Sequence, residues 1–442
     1  MNQYIPHTDE DIRQMLDKIG MKNLSELYAD VPEEFLYRGD YDLPDSMSEQ
    51  EVRAHFEQLA ARNTRLTPFV GQGWYDHYTP AVIAALTSRS EFLTAYTPYQ
   101  PEISQGTLRY IFEYQSMICA LTGLEVSNAS MYDGPTAAAE AVRMAVSSAR
   151  KKNAVILSAT LLPQVKEVVK TYASYAGTEV IEITAEEGQT SLASLTEALA
   201  AGTVAGVMVP SVNCFGIIED HTGMADAVHA AGAMFIEYCD PSTLAVLKTP
   251  AEWGADVAVG DGQSLGIPLC YGGPTLGFMA CRSEVMRKLP GRIVGATTDK
   301  DGKRCFVLTL QAREQHIRRD KATSNICSNE SLMALWVTIY LSLMGPHGLR
   351  EVNELSFAGA HYLHDALIAT GKFVEAYDKP FLKEFVLRPA AGTDTTVLRQ
   401  KLQEAGLFAA REVPGTDLVS FCVTEKRTRA EIDCLIQTVK EA

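Results

Sequence analysis

The sequence predicts an α/β protein of more than one domain, built on a mainly parallel sheet with both faces covered. Three observations lead there. Short, wholly apolar runs recur between residues 107 and 290; helical segments of about ten to eighteen residues separate them; and 442 residues are too many for one compact core.

Residues 1–66 form a polar helical arm. Thr8 followed by Asp11, and Ser48 followed by Glu51, have the spacing of N-terminal capping boxes, and Pro32 and Pro44 divide the arm into short pieces. Residues 67–308 form the large α/β domain. It opens with two long loops, TPFVGQGWYDHYTP and TAYTPYQPEISQGT, whose Gly, Pro and aromatic content suits the lining of a site or an interface. Helices follow at 107–123, 134–151, 161–176, 191–201 and 222–231. The apolar strands between and after them are 154–157, 179–183, 204–210, 233–238, 256–260 and 276–281. Residues 309–442 form a helical connection (309–322, 329–343, 346–370) and a small α/β domain. In that domain, strands 384–389 and 418–423 alternate with helices 394–405 and 428–440. There is no internal repeat.

Thirty-nine basic against 55 acidic side chains give a formal charge of −16, which disfavours nucleic acid and anionic membrane surfaces as partners. The best local basic patch is Arg313 to Lys321. The nine cysteines are scattered singly, most among apolar neighbours, as expected for buried free thiols in a reducing cytosol. The first residues lack the basic and apolar regions of a secretory signal, and no apolar run approaches the roughly 18 residues of a membrane span. A soluble, cytoplasmic protein is the expectation.

One motif points elsewhere. Gly262-Gln263-Ser264-Leu265-Gly266 is a G-x-S-x-G, the nucleophile elbow of serine hydrolases. The elbow needs a strand before the serine and a helix directly after it. DVAVG supplies the strand, but Pro268, Gly272, Gly273 and Pro274 leave no room for the helix.

Several long stretches, by contrast, resemble one family together. IPHTDEDIRQML, FVGQGWYDHYTP (69–80), YTPYQPEISQGT (96–107), SNASMYDGPTAAAEA (127–141) and REQHIRRDKATSNICSNESL (313–332) are similar to the glycine decarboxylase P-protein of the glycine cleavage system. The likeness is to its N-terminal half, which many bacteria make as a separate chain, subunit 1 or α. It covers essentially the whole chain. It implies the aspartate-aminotransferase fold (fold type I) of pyridoxal-phosphate enzymes. It also implies a chemistry in which the cofactor ring is an electron sink while glycine loses carbon dioxide. The aminomethyl group then passes to the lipoyl arm of H-protein.

Such enzymes anchor the cofactor's aldehyde on a lysine in a loop after a late strand. Here Gln263 or Ser264 stands in that place, Lys248 and Lys288 do not fit the loop, and the aldehyde has no covalent anchor. Asp240 matches the acid that would pair with the pyridine nitrogen, although an N-cap before Pro241 is the reading favoured from the residues. Gly134 and Thr136 open a helix where relatives seat the phosphate, but Asp133 precedes them and Leu162 stands where relatives often carry histidine.

The resemblance therefore implies a non-catalytic subunit, with no cofactor held covalently. It would work in a hetero-oligomer, a heterotetramer in the family, with a second chain that carries the lysine and the pyridoxal phosphate. Tyr75, His77, Tyr96, Tyr99, Gln100, Glu102 and Gln105 are candidates to face that partner's substrate channel or the lipoyl arm. Arg318, Arg319 and Lys321 are candidates to steer an anion, with Glu314 and Asp320 as ion-pair partners in the alternative reading. The rival functions are an autonomous pyridoxal-phosphate enzyme with an unconventional lysine, a serine hydrolase using Ser264, and a scaffold that adds nothing to a site.

Overall fold

The computed structural model describes residues 6–149 and 151–442; the first five residues of the stretch read for a signal, and position 150 near the end of the helix expected over 134–151, lie outside them. The chain folds as two compact units, Met1–Thr64 and Arg65–Ala442. In the first, helices Asp9–Ile19 and Glu49–Ala60 each start at a reciprocal capping box, Thr8 with Asp11 and Ser48 with Glu51.

The second unit is built on a seven-stranded sheet. In chain order its strands are β1 (Val126–Ser127), β2 (Ala154–Ser158), β3 (Glu179–Ile183), β4 (Val204–Pro210), β5 (Met234–Tyr238), β6 (Val257–Asp261) and β7 (Gly277–Cys281). They lie in the order β1-β7-β6-β5-β4-β2-β3. β7 runs antiparallel to both neighbours and the other pairs are parallel. Every residue of β2 and of β4 to β7 is buried, which is why these segments are apolar on both faces rather than alternating. The helix Gly134–Ser148 crosses the sheet on small residues. Gly206 of β4 comes so close to Ala145 that a Cβ at 206 would stand 2.7 Å from the alanine methyl.

Three segments differ from the sequence expectation. Residues 293–309 form a hairpin, β8 (Ile293–Thr298) with β9 (Arg304–Thr309), closed by Asp299, whose carboxylate accepts from the amides of Asp301 and Lys303. The helix expected over 309–322 shrinks to Gln315–Arg318 between short turns, because Leu310 (φ 53°) and Arg319 (φ 56°) sit in the left-handed region, which breaks an α-helix. Further on, the two helices expected at 329–343 and 346–370 run on as Ser331–Ala369, broken at Gly345 (φ 59°) before Pro346. By length and composition this helix is apolar enough to cross a membrane, contrary to the expectation that no run would be. Its Val337, Tyr340, Leu349, Leu363 and Leu367 are, however, buried in the protein core.

The C-terminal part carries an antiparallel sheet of β10 (Phe373–Glu375), β11 (Glu384–Pro389), β12 (Arg411–Glu412) and β13 (Val419–Cys422), ordered β10-β11-β13-β12. Phe373, Phe385, Phe421 and Leu435 fill the space between it and the helices Thr395–Glu404 and Arg429–Glu441. Thr67-Pro68 pairs in parallel with Leu407-Phe408 in a separate two-stranded sheet, and the loop 69–80 runs from there to the turn that follows β6. Asp76 fastens it there, accepting from Lys426 (2.6 Å) and Arg427 (3.0 Å). Of the nine cysteines four are buried, three half-buried and two exposed, fewer buried than expected. Burial pushes the Cys214 and Cys281 thiols up to about 12, away from a reactive thiolate.

Candidate functional site

The G-x-S-x-G lies at the end of β6, and its two polar side chains, with Asp261 just before it, have structural partners. Asp261 accepts from the Gln263 amide (2.9 Å), the Gly134 amide (3.0 Å) and the Thr275 hydroxyl (2.7 Å). The Gln263 carboxamide accepts from the Tyr75 amide (2.8 Å) and donates to the carbonyls of Tyr75 (2.8 Å) and Ile267 (2.7 Å), bolting the loop 69–80 to the turn. Ser264 closes a single 3₁₀ turn, not the start of a helix, and its buried hydroxyl donates to the Asp240 carboxylate. A serine so held, with no helix behind it, is not an elbow nucleophile.

Asp240 does N-cap a short turn, accepting from the Ser242 amide (3.0 Å). The sequence reading favoured that role because no lysine lay near in the chain. The cap is present, but the premise fails: Lys383, at the entrance to β11, places its ammonium 2.7 Å from the other Asp240 oxygen. Its remaining protons go to His77 Nε2 (2.9 Å) and Ser242 Oγ (3.2 Å), and the Tyr75 ring lies 3.9 Å from it. Lys383 is 3% exposed, so this is a buried, fully partnered cation. Of the lysines weighed from the sequence, Lys248 stacks on Trp253 and Lys288 donates to the Ser147 carbonyl.

The charges follow from these contacts. Burial alone would raise the Asp240 carboxyl, but Lys383, Ser264 and His77 hold it below its ordinary value. Burial and then Lys383 push His77 down, so the ring is neutral; its Nδ1–H donates to Glu425 (2.6 Å) and its bare Nε2 accepts from Lys383. Glu384, the next residue along, accepts from the Gln72 amide (2.8 Å) and the Tyr75 hydroxyl (3.1 Å), and burial pushes its carboxyl up to about 7.

A prediction follows from Glu384. Between its ordinary value of 4.5 and about 7 the folded chain holds a proton that the unfolded chain has lost, so stability falls as pH rises through that window. Asp261, raised by burial to about 6, acts in the same sense. Urea unfolding of Glu384→Gln should show a visibly shallower fall between those pH values than the parent. An unchanged slope would show that Glu384 titrates normally.

A pyridoxal phosphate does not fit these residues. The acid that would meet its ring nitrogen is paired with Lys383. At the phosphate end, Gly134 gives its amide to Asp261, and Thr136 gives its own to the capping carboxylate of Asp133 (2.7 Å), so two carboxylates stand where a dianion would have to sit. The cavity left among Tyr75, Leu162, Asp240, Ser264 and Lys383 is ≈ 30 Å³, room for one or two waters. Gly134 is pressed so tightly onto β6 that an added Cβ would lie 2.8 Å from the Asp261 amide nitrogen. Gly134→Ala should therefore destabilise the chain by about 1–3 kcal/mol in urea, although alanine is the better helix former.

The partner-facing candidates divide. Tyr96, Gln100 and Glu102 are exposed and Tyr99 is half out, its hydroxyl accepting from the buried Arg292 (3.2 Å). Tyr75 and His77 point inward to Lys383 instead, because the loop 69–80 is pulled down by Gln263 and Asp76. Gln105 is also turned inward, its carboxamide exchanging hydrogen bonds with the Phe306 backbone (2.8 and 2.9 Å). Arg318 and Arg319 are exposed and, among the described residues, neither pairs with an acid within 4.0 Å; Glu314 faces His316 (3.6 Å).

The sheet order, the one antiparallel strand and the C-terminal antiparallel sheet with its helices define the architecture of fold-type-I pyridoxal-phosphate enzymes. Solved structures with little sequence likeness share it: an alanine–glyoxylate aminotransferase from Nostoc sp. (15% identity, TM-score 0.60, covering 92% of this chain and 98% of that one). Within that fold the chain belongs to one family, the glycine cleavage system P-protein, whose profile matches residues 2–439. It is 43% identical to a P-protein crystallised in inhibitor-bound form, with TM-score 0.92 and 99% of each chain covered. Among curated relatives, "Probable glycine dehydrogenase (decarboxylating) subunit 1" of Desulforamulus reducens is 48% identical over 441 residues, 98% of each chain. The protein of the same name from Carboxydothermus hydrogenoformans is 48% identical, with 99% of each chain covered.

Proposed function

We propose that this chain is the cofactor-free subunit of a glycine-decarboxylating assembly. Its second chain supplies the lysine and the pyridoxal phosphate, and the assembly passes the aminomethyl group to the lipoyl arm of H-protein. The names of its full-length relatives support the activity, and "subunit 1" in those names supports a second chain. The observation that carries the division of labour is the Lys383–Asp240 pair, which takes up the acid a bound pyridine ring would need. This chain's own contribution is then structural and interfacial: Tyr96, Tyr99, Gln100 and Glu102 remain exposed on the loop 96–107 for a partner to cover.

Co-expression with a lysine-bearing second chain tests this. The pair should co-purify and exchange labelled bicarbonate into the glycine carboxyl, and this chain alone should do neither that nor take on the cofactor's colour. Exchange by the single chain would establish the autonomous-enzyme reading. Failure to co-purify would remove the hetero-oligomer.

A further inference from the structure

On a chain of net charge −16, the charged residues of one concave site are all basic. Between the turn Ser283–Lys288, the left-handed turn at Leu310 and the segment from Arg318 onward lies a cavity of ≈ 360 Å³, lined by Arg287, Lys288, Arg313, Arg318, Lys321 and three uncharged residues. No acid lines it, and among the described residues none of these five cations meets a carboxylate within 4.0 Å. A solvated basic face would be mobile and mixed in sign. Here the Arg313 guanidinium is fixed by the carbonyls of Leu289 and Gly291 (2.6 Å to the latter), and the Lys288 ammonium by the Ser147 carbonyl (3.1 Å). The backbone that sets Arg313 and Arg318 around the cavity is held in the left-handed region at Leu310 and Arg319, a cost that persists only where the surroundings enforce it.

Five like charges converging on one concavity repel each other unless an anion joins them. The volume is in the range of small-molecule sites rather than of flat protein contacts. The forks of Arg287 and Arg318 with the Lys321 ammonium, backed by the carbonyl-anchored charges of Arg313 and Lys288, match the oxygens of a phosphate better than those of a single carboxylate. We propose that this cavity is a receptor for a phosphate group, either on a small phosphorylated molecule free in solution or carried in by a partner chain. Binding by the free chain does not depend on the decarboxylase reading; the partner-borne source rests on the second chain of that reading.

Titration calorimetry of the full chain with inorganic pyrophosphate, at constant ionic strength in chloride, tests it. Saturable binding of about millimolar strength or tighter is expected. Arg318→Glu and Lys321→Glu, both at exposed positions that leave the core untouched, should each weaken it about tenfold or more. Lys440→Glu, on the C-terminal helix outside the cavity, should leave it unchanged. Repeating the titration on the chain assembled with its partner separates the two sources: binding retained means a ligand from solution, and binding lost means that the partner fills the cavity. No saturable heat with the free chain, or binding unaffected by either reversal, overturns the proposal. Tighter binding of a polyglutamate peptide than of pyrophosphate would overturn it in favour of an acidic protein segment.

Discussion

Lys383→Ala is expected to cost about 3–5 kcal/mol of unfolding free energy, the range for removing one partner of a buried ion pair. The reason is what it leaves behind. Asp240 would keep a charge inside the protein with its cation gone, and His77 Nε2 and Ser242 Oγ would lose a donor. Urea unfolding measures the loss, and a second variant isolates its cause. Lys383→Met combined with Asp240→Asn removes both charges at nearly constant volume, and should recover most of the stability lost in Lys383→Met alone. A cost below about 1 kcal/mol for Lys383→Ala would place the pair with ordinary solvated ion pairs and undo its role in closing the site.

The second large effect concerns the missing anchor. Ser264→Lys removes one hydrogen bond to Asp240 and puts a second ammonium beside Lys383, against a carboxylate that still has a cation and two hydrogen bonds from Ser242. Nothing else acidic faces Ser264 within hydrogen-bond reach among the described residues. We expect destabilisation of about 3 kcal/mol or more by uncompensated burial of charge, and no coloured adduct when pyridoxal phosphate is added. The lysine is only one of the absences: Asp133 and Asp261 would still hold the Thr136 and Gly134 amides that a phosphate needs. A stable Ser264→Lys chain that turned yellow with cofactor would show that the pocket opens readily.

Much of the fold was legible because it rests on local signals. Strands such as Val204–Pro210 and Val257–Asp261 are apolar on both faces because helices cover both, and the Thr8 and Ser48 caps are written in four residues each. The hairpin at 293–309 is hard to read because its apolar content is broken by Gly295 and the exposed half of its first strand is Ala296, Thr297 and Thr298. The helix expected at 309–322 failed at Leu310 and Arg319, ordinary residues for a helix whose left-handed angles are imposed by tertiary contacts such as those of Arg313.

The site was legible only as an absence. That Gln263 or Ser264 stands in the place of a lysine is what the family resemblance implies, but Lys383 lies 143 residues from Asp240, a contact no spacing reveals. One signal was available: Lys383-Glu384 is a charged pair at the entrance to the apolar run FVL, where charges occur only with partners. Likewise the inward turn of Tyr75 and His77 depends on Gln263 and Glu425, contributed by distant parts of the chain.

The most direct test of the account is to find which lysine carries the cofactor in the assembled protein. Borohydride reduction of the complex, followed by peptide mapping, fixes and locates any lysine–pyridoxal linkage. The account predicts a reduced pyridoxyl group on the second chain alone, with every lysine of this chain unmodified. A pyridoxyl group on Lys383, the lysine that lines this chain's own cavity, would contradict it.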